Sequence, residues 1–354
     1  MARYRTMMAL LLTVGIVFQL SESRVTCRND KGNEVDWYIL YKLPLGSSNG
    51  LSYLYMDEST NGWKLSRNTI GSSSGTLGNT MKPLLDYYVR KTEGFGYILY
   101  NDQPGNNRTV SSSYGHSKGV VMLDKDTGVW LSHSTPKFPK YQSQSFWPKS
   151  GNVNGQTFLC VTYSYGTFEQ IGLQLMYIHP YAYDYDIPKT FHMELQYVAR
   201  MTDYPTKDPF SRVEHLMSLG GKRFVSFAKH TRFHDDLYSG LIVKFMLESL
   251  YVKGWGNKGR SIQLPSNCST RIPHHVYNVK MVKLLKKVYN DTEDHSKWCV
   301  APNIGWICIA DLNRHESQTN RGGGAICFKN VAVAKAFKTT IKDYERCVTP
   351  HSDL

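Results

Sequence analysis

Several familiar signatures are missing from this 354-residue chain. No Cys-x-x-Cys pair occurs among its seven cysteines, and there is no His-Glu-x-x-His motif. The two commonest sequence signs of a zinc site therefore have no support. After residue 23 no apolar run approaches the roughly 20 residues that a membrane helix needs. No proline-rich or charged linker divides the chain, so two intimately packed halves are expected rather than two separate beads. Acidic residues are scarce, 29 against 42 Lys and Arg, which gives a net charge of +13 and a pI near 9.2. Such a surface attracts polyanions: nucleic acid, heparin-like glycans or anionic lipid. Protonating the 12 histidines as well would bring the formal charge to +25, so a mildly acidic compartment would tighten the hold on phosphate.

What is present begins with residues 1–23, which read as a secretory signal: Arg3 and Arg5, an apolar run from Met7 to Phe18, then small residues at Ser21 and Ser23. The mature chain would start near Arg24 or Val25. In the secretory pathway most cysteines oxidise, and an odd count leaves at least one free or paired with another chain. Sequons at Asn107, Asn267 and Asn290 fit the same compartment.

Trp37–Leu43, Tyr97–Tyr100, Phe158–Tyr165 and Leu173–Ile178 read as strands. Thr80–Lys91 carries Leu84, Leu85, Tyr88 and Val89 at helical spacing. Ser211–Glu214 matches a capping box, with Gly220-Gly221 closing a short helix. Asp236 would cap a helix running toward Gly254, and Asn330 a final one carrying Val333, Phe337, Ile341 and Tyr344. Strands mixed with such helices indicate an α/β fold.

One tripeptide occurs twice. His116-Ser117-Lys118 and His295-Ser296-Lys297 lie 179 residues apart, about half the mature chain, as a weak internal repeat would place them. In an extended segment residues i and i+2 face the same way, so one imidazole and one ammonium can reach one phosphate. In two such pairs facing each other, one histidine can attack phosphorus and the other give a proton to the leaving oxygen, while the two lysines offset the charge on the non-bridging oxygens, the task magnesium performs in many other phosphoryl-transfer sites. Ser117 and Ser296 would point to the opposite face. Each triplet alone is a short and weak signal; their repetition is stronger.

Other candidates rank lower. His230 and His234, with Asp235 and Asp236, could line one helix turn as metal ligands, but Asp236 is already explained as a cap. His274 and His275 read as loop residues, and Asp36 and Lys42 as structural. Trp255, Lys253, Lys258 and Arg260 form a basic, aromatic loop able to grip backbone phosphates. The terminal His351–Leu354 only partly matches an ER-retrieval signal.

The residues VDWYILYKLP (35–44), YGHSKGVV (114–121), VWLSHSTPKFP (129–139), LPSNCS (264–269), HVYNVK (275–280), DHSKWC (294–299), WICIADLNR (306–314) and RGGGAIC (321–327) resemble the deoxyribonuclease II family along nearly the whole mature chain. Around Cys268 and Tyr277 the match looks closest to its beta branch. That family is similar to the phospholipase D superfamily, in which two motifs form one site in a pseudo-dimer. The resemblance implies an α/β fold of two related mixed sheets packed with outer helices, the first motif in residues 24–165 and the second in 166–354. It implies an acid endonuclease acting on double-stranded DNA without metal or cofactor, leaving 3′-phosphate ends, resident in lysosomes or secreted. It implies disulfides Cys27–Cys160, Cys268–Cys347 and Cys308–Cys327, with Cys299 free, and it carries catalytic roles onto His116, Lys118, His295 and Lys297. His133, in a shared segment at a strand end, joins them as a supporting candidate. The phospholipase D motif expects an Asp soon after the Lys. Asp124 stands near that place in the first copy, and the second has only the later Asp311 and Asn313, which could orient a histidine. Which histidine attacks stays open. Two rival readings share these features: a lipid hydrolase using the same chemistry, and a basic DNA-binding protein with no activity.

Overall fold

The structure, a computed structural model, describes residues 24–46, 48–256, 261–268 and 273–347. The signal segment 1–23, Lys258, Arg260 and the tail His351–Leu354 lie outside the described residues. Two large sheets carry the fold. The first holds β1 (Trp37–Lys42), β2 (Tyr53–Asp57), β3 (Lys64–Leu65), β4 (Gly96–Asn101), β5 (Lys118–Leu123), β6 (Thr127–His133), β7 (Gln156–Ser164) and β8 (Ala182–Asp186), in the order β8-β4-β5-β6-β7-β1-β2-β3. The second holds β9 (Ser211–Met217), β10 (Arg223–Lys229), β11 (Leu250–Lys253), β12 (Val276–Leu284), β13 (Lys287–Asn290), β14 (Trp298–Ala301), β15 (Trp306–Ala310) and β16 (Gly323–Lys329). Its order is β9-β10-β16-β15-β14-β11-β12-β13, with β17 (Ile341–Tyr344) on β12.

The two orders contain the same five-strand path. β4-β5-β6-β7-β1 in the first sheet corresponds to β11-β14-β15-β16-β10 in the second, and every neighbouring pair in both paths is antiparallel. Beyond β1 lies β2, the next strand in the chain, whereas beyond β10 lies β9, the strand before it. Each triplet directly precedes or enters the corresponding strand, β5 or β14. A helix follows each path's fourth strand: α2 (Thr167–Ile178) after β7 and α4 (Val331–Thr340) after β16. The halves are pseudo-repeats in topology. Outside the path they diverge, since β8 joins β4 antiparallel whereas β12 joins β11 parallel. β8 also shows that the first sheet recruits a strand from beyond residue 165.

Side chains alternate across the sheets as the pleat requires. Trp37, Ile39 and Tyr41 enter the large core shared by both sheets, whereas Tyr38 and Leu40 face α1 (Thr76–Val89) with Leu77, Met81 and Leu84. The shared core also receives α2, α3 (Met193–Arg200) and α4, and Trp37 and Phe224 each lie 5.0 Å from Phe328. Each such aromatic pair contributes about 0.5–1.5 kcal/mol beyond its buried area. The turn Tyr238–Met246 covers the far face of the second sheet. Three disulfides join Cys27 to Cys160, Cys268 to Cys347 and Cys308 to Cys327, and Cys299 is a buried free thiol. Among the described residues no helix is long and apolar enough to cross a membrane.

Several local expectations fail for identifiable reasons. Leu173–Ile178 is the end of a helix, because Phe168, Ile171, Leu175 and Ile178 are buried at helical spacing. Ser211–Glu214 starts no helix; it opens β9, paired along its length with β10, and Gly221 (φ 85°) turns the hairpin. Partner strands here outweigh a capping pattern of only a few residues. Asp236 does cap, accepting from Ser239 N–H at 2.9 Å, but the helix ends at Met246, where Leu247 turns left-handed (φ 52°). Asn330 caps α4, accepting from Val333 N–H at 3.2 Å, yet Ile341 and Tyr344 leave the helix to pair with β12.

Candidate active site

The first triplet sits where two backbones nearly touch. His116 N–H donates to Gly322 C=O at 2.8 Å, and Gly115 N–H to His179 C=O at 2.8 Å. A Cβ on Gly115 would lie 2.3 Å from Ile178 C=O, and one on Gly322 2.1 Å from the same oxygen. Only glycine permits that approach. His116 Nδ1 faces Asp311 C=O at 2.9 Å. A carbonyl can only accept, so Nδ1 carries the proton and the neutral ring presents its lone pair at Nε2. Lys118 opens β5 and bonds the Asp102 carboxylate, which also takes Arg321 Nη1 at 3.2 Å and stands 3.9 Å from His116 Nε2.

The second triplet is held by the first half. His295 N–H donates to Gly155 C=O at 2.9 Å, and its Nε2 meets the Asn154 side-chain amide at 3.1 Å. The Trp255 ring lies 4.0 Å from the imidazole. Lys297 Nζ donates to the His295 carbonyl at 3.0 Å. Behind the triplet, buried Asp294 accepts from Tyr41 O–H at 2.5 Å and from Ser296 N–H at 3.0 Å, with Lys253 Nζ 3.7 Å away. Lys42, also fully buried, donates to Asn152 C=O at 2.9 Å.

Charges from both triplets act on one another, so the structure brings all four side chains to one site. Burial pushes His295 down to about 2, helped by Lys297, Lys118 and Lys253. Burial likewise holds His116 well below the usual imidazole range; Asp102 opposes this and Lys118, Lys297 and Arg321 reinforce it. Lys297 falls to about 7 through burial and the nearby Lys118. Burial alone would raise Asp102, but Lys118, His116 and Arg321 overcome it and keep the carboxyl ionised. Asp311 has fewer partners: burial raises it to about 7, with Gly324 N–H and the two lysines opposing. A phosphodiester brought among these groups carries negative charge and acts on both imidazoles in the opposite direction, favouring the protonated form.

A family profile described as Deoxyribonuclease II matches residues 26–347. The chain belongs to the deoxyribonuclease II family. Deoxyribonuclease-2-alpha of Sus scrofa is 40% identical over 338 residues, 91% of each chain. Deoxyribonuclease-2-beta of Homo sapiens is 35% identical over 359 residues, 98% of each chain. Plancitoxin-1 of Acanthaster planci is 36% identical over 357 residues, 97% of this chain and 98% of that one. Alpha and beta members of the deoxyribonuclease II family thus match over similar lengths. Membership makes this chain a nuclease that hydrolyses DNA.

The remaining candidates fall into place around that site. His133 is buried beneath it: Nδ1 accepts from Thr135 N–H at 3.1 Å, the ring packs on Phe138 and Phe158, and Lys118 and Lys297 act on it electrostatically. Asp311 supports His116 through its carbonyl, not its carboxylate. Asn313 bonds no histidine among the described residues; its Oδ1 accepts from Trp255 N–H at 2.9 Å. Asp124 lies away from the site and accepts from Val25, Asp126 and Thr127 N–H in a turn. His234 bonds Asn320, Asp235 lies 3.7 Å from Lys244, and Asp236 pairs with Arg314, so they do not converge as ligands. Cys268, His275 and Cys347 lie close together, but the two sulfurs form a disulfide. Asn107 and Asn290 are exposed, while Asn267 is half-buried in a bridge to Val276. Sequence reasoning missed Asp102, Arg321 and Asn154. Arg321 stood within the family-like RGGGAIC segment; the other two had no local signal.

Proposed function

We propose that the chain is a metal-independent acid endonuclease that cleaves DNA through a phosphohistidine and leaves 3′-phosphate ends. The observation that carries this reading is the convergence of two His-Ser-Lys triplets with His116 Nδ1 bonded to a carbonyl. That bond presents the Nε2 lone pair for attack on phosphorus as the P–O5′ bond breaks. His295, protonated, gives its proton to the departing O5′, and the Asn154 amide can turn over to serve either protonation state. His295 then takes a proton from water, whose oxygen displaces His116 and releases the 3′-phosphate. Lys118 and Lys297 offset the charge on the non-bridging oxygens, and Asp102 offsets the charge that grows on His116 as nitrogen bonds phosphorus.

Two features support independence from metal. Asp102 and Asp294 already spend their oxygens on cations, hydroxyls and N–H groups, and Asp311 is raised toward its neutral, weakly ligating form. Acid operation fits His295: burial and the nearby lysines disfavour its proton, so it needs both the negative charge of a bound phosphodiester and a low pH to act as the acid. The disulfides and sequons support secretory residence, lysosomal or extracellular. The test is cleavage of supercoiled plasmid near pH 5 and near pH 7.5, with and without excess chelator. Acid cleavage that survives chelation is expected, and His116→Ala and His295→Ala should each lower it by orders of magnitude while remaining folded. Near-normal cleavage by either folded variant would refute the two-histidine mechanism.

A further inference from the structure

Strand pairing shows which residues of the two halves stand in for one another at the seam. Gly119 and Trp298 each follow a site lysine. Gly119 lies opposite Ser132 and Trp298 opposite Ile309; Ser132 in turn lies opposite Leu159, and Ile309 opposite Ile326. Counting on from these pairs, Ser134 corresponds to Asp311 and Thr157 to Gly324. The backbone agrees, since Ser134 N–H donates to Thr157 C=O at 3.1 Å and Asp311 N–H to Gly324 C=O at 2.9 Å. Asn101 lies opposite Lys118, and Lys253 opposite Trp298, so the same count sets Asp102 against Trp255. In both of these unlike pairs the carboxyl belongs to the residue that adjoins His116: Asp102 at Nε2, and Asp311 through its carbonyl at Nδ1.

The proposed chemistry gives the Asp311 carboxyl no task, and its bonding sets it apart. The Ser134 hydroxyl accepts from Thr157 N–H at 3.0 Å and donates to Gln156 Oε1 at 2.6 Å, so it is fully engaged. Asp311 Oδ2 accepts from Gly324 N–H at 2.9 Å, but Oδ1 is buried without a hydrogen-bond partner among the described residues. A carboxylate so placed is costly to ionise. Lys118 and Lys297 attract its charge from a distance, but Lys118 is paired with Asp102, which repels Asp311, and Lys297 bonds the His295 carbonyl. The other titratable groups around it are His116, Tyr100 and Tyr238. Tyr100 accepts from Trp130 Nε1 at 2.9 Å, and Tyr238 donates to Leu312 C=O at 2.6 Å.

We infer that the Asp311 carboxyl decides at which pH the site accepts DNA: ionised, it competes with the phosphodiester for the positive charge of Lys118 and Lys297, and protonated, it yields both lysines to the substrate. This rests on the phosphodiester reading above. Burial carries Asp311 up to about 7 against the pull of Gly324 N–H and the two lysines. The carboxyl is therefore neutral in an acidic compartment and charged above neutrality, where the site loses one unit of positive charge. The linkage is reciprocal: a bound phosphodiester favours the proton on Asp311 by as much as that proton favours the phosphodiester. Asp311 thus limits binding as pH rises, whereas the proton on His295 limits the chemical step, and KM and kcat separate the two.

The test is steady-state cleavage of a short double-stranded oligonucleotide near pH 5 and near pH 8, at fixed salt and with excess chelator, by the wild type, Asp311→Asn and Asp311→Ser. Asparagine keeps the shape and an oxygen for Gly324 N–H; serine is the residue that the first half has in this place. From the lower pH to the higher, KM of the wild type should rise about tenfold more than KM of either variant, because only about one Asp311 in eleven is still neutral near pH 8. Equal rises in all three proteins would overturn the inference. So would variants that lose kcat by one factor at both pH values with KM unmoved, since that marks a structural role. His116→Ala should be inactive at both. If it is, a failure of the KM prediction sinks the role of Asp311 alone; if the folded variant cleaves near normally, the phosphodiester reading itself fails.

Discussion

His133 offers a direct measure of the site's electrostatics, because it is buried and lies outside the proposed chemistry. It is 1% exposed, its Nε2 has no partner among the described residues, and burial together with Lys118 and Lys297 holds it well below the normal range. The unfolded chain binds a proton on this ring below pH ~6.5, whereas the folded chain does not. The unfolded state therefore holds more protons in that window, and stability rises with pH; the contribution is complete above pH ~6.5 and is lost as pH falls beneath it. Moving from pH 7.5 to pH 5 should cost about 2 kcal/mol through this one group. His133→Asn removes the titration while its Oδ1 can still accept from Thr135 N–H. Urea unfolding of both proteins at the two pH values isolates the effect: the variant pays any packing cost at both, so only the wild type should lose the additional ~2 kcal/mol. Parallel losses in the two proteins would show that His133 ionises freely in the fold, and the picture of an imidazole trapped beneath two lysines would be wrong.

Further outcomes follow from the same geometry. Asp102→Asn strands Lys118 and Arg321 without their shared carboxylate, so it should cost about 3–5 kcal/mol in chemical unfolding and lower plasmid cleavage sharply. Tyr41→Phe removes a hydroxyl bonded to Asp294 and Ser296; a loss of about 1–3 kcal/mol in stability is expected, with cleavage falling much less than in the histidine variants. Cys299 is fully buried beside apolar neighbours, so Cys299→Ser should destabilise by about 1–3 kcal/mol while leaving the pH profile of cleavage unchanged.

The paired triplets were readable because repetition needs only the chain itself. The strands Trp37–Lys42 and Gly96–Asn101 were readable because aromatic and β-branched runs suit a buried pleat. What escaped was set by partners distant in sequence. Asp102 reaches Lys118 across a strand pair, Arg321 arrives from 219 residues away, and Asn154 meets His295 across the seam. The capping pattern at Ser211 misled because it describes one turn of chain, whereas β9 answers to the seven residues of β10 opposite it. The disulfide pairing came with the family resemblance; cysteine spacing alone does not choose among partners.

The cross-seam contacts make the two halves mutually obligate. His116 is fixed by Gly322 and Asp311 of the second half, and His295 by Asn154 and Gly155 of the first. Neither half contains a finished version of its own motif. A lesion that loosens one sheet therefore disables the histidine carried by the other, and a cut in an exposed loop between them need not, provided the seam stays closed. Duplicated modules usually give a protein a spare; here each copy is the scaffold of its twin, and there is no redundancy to draw on.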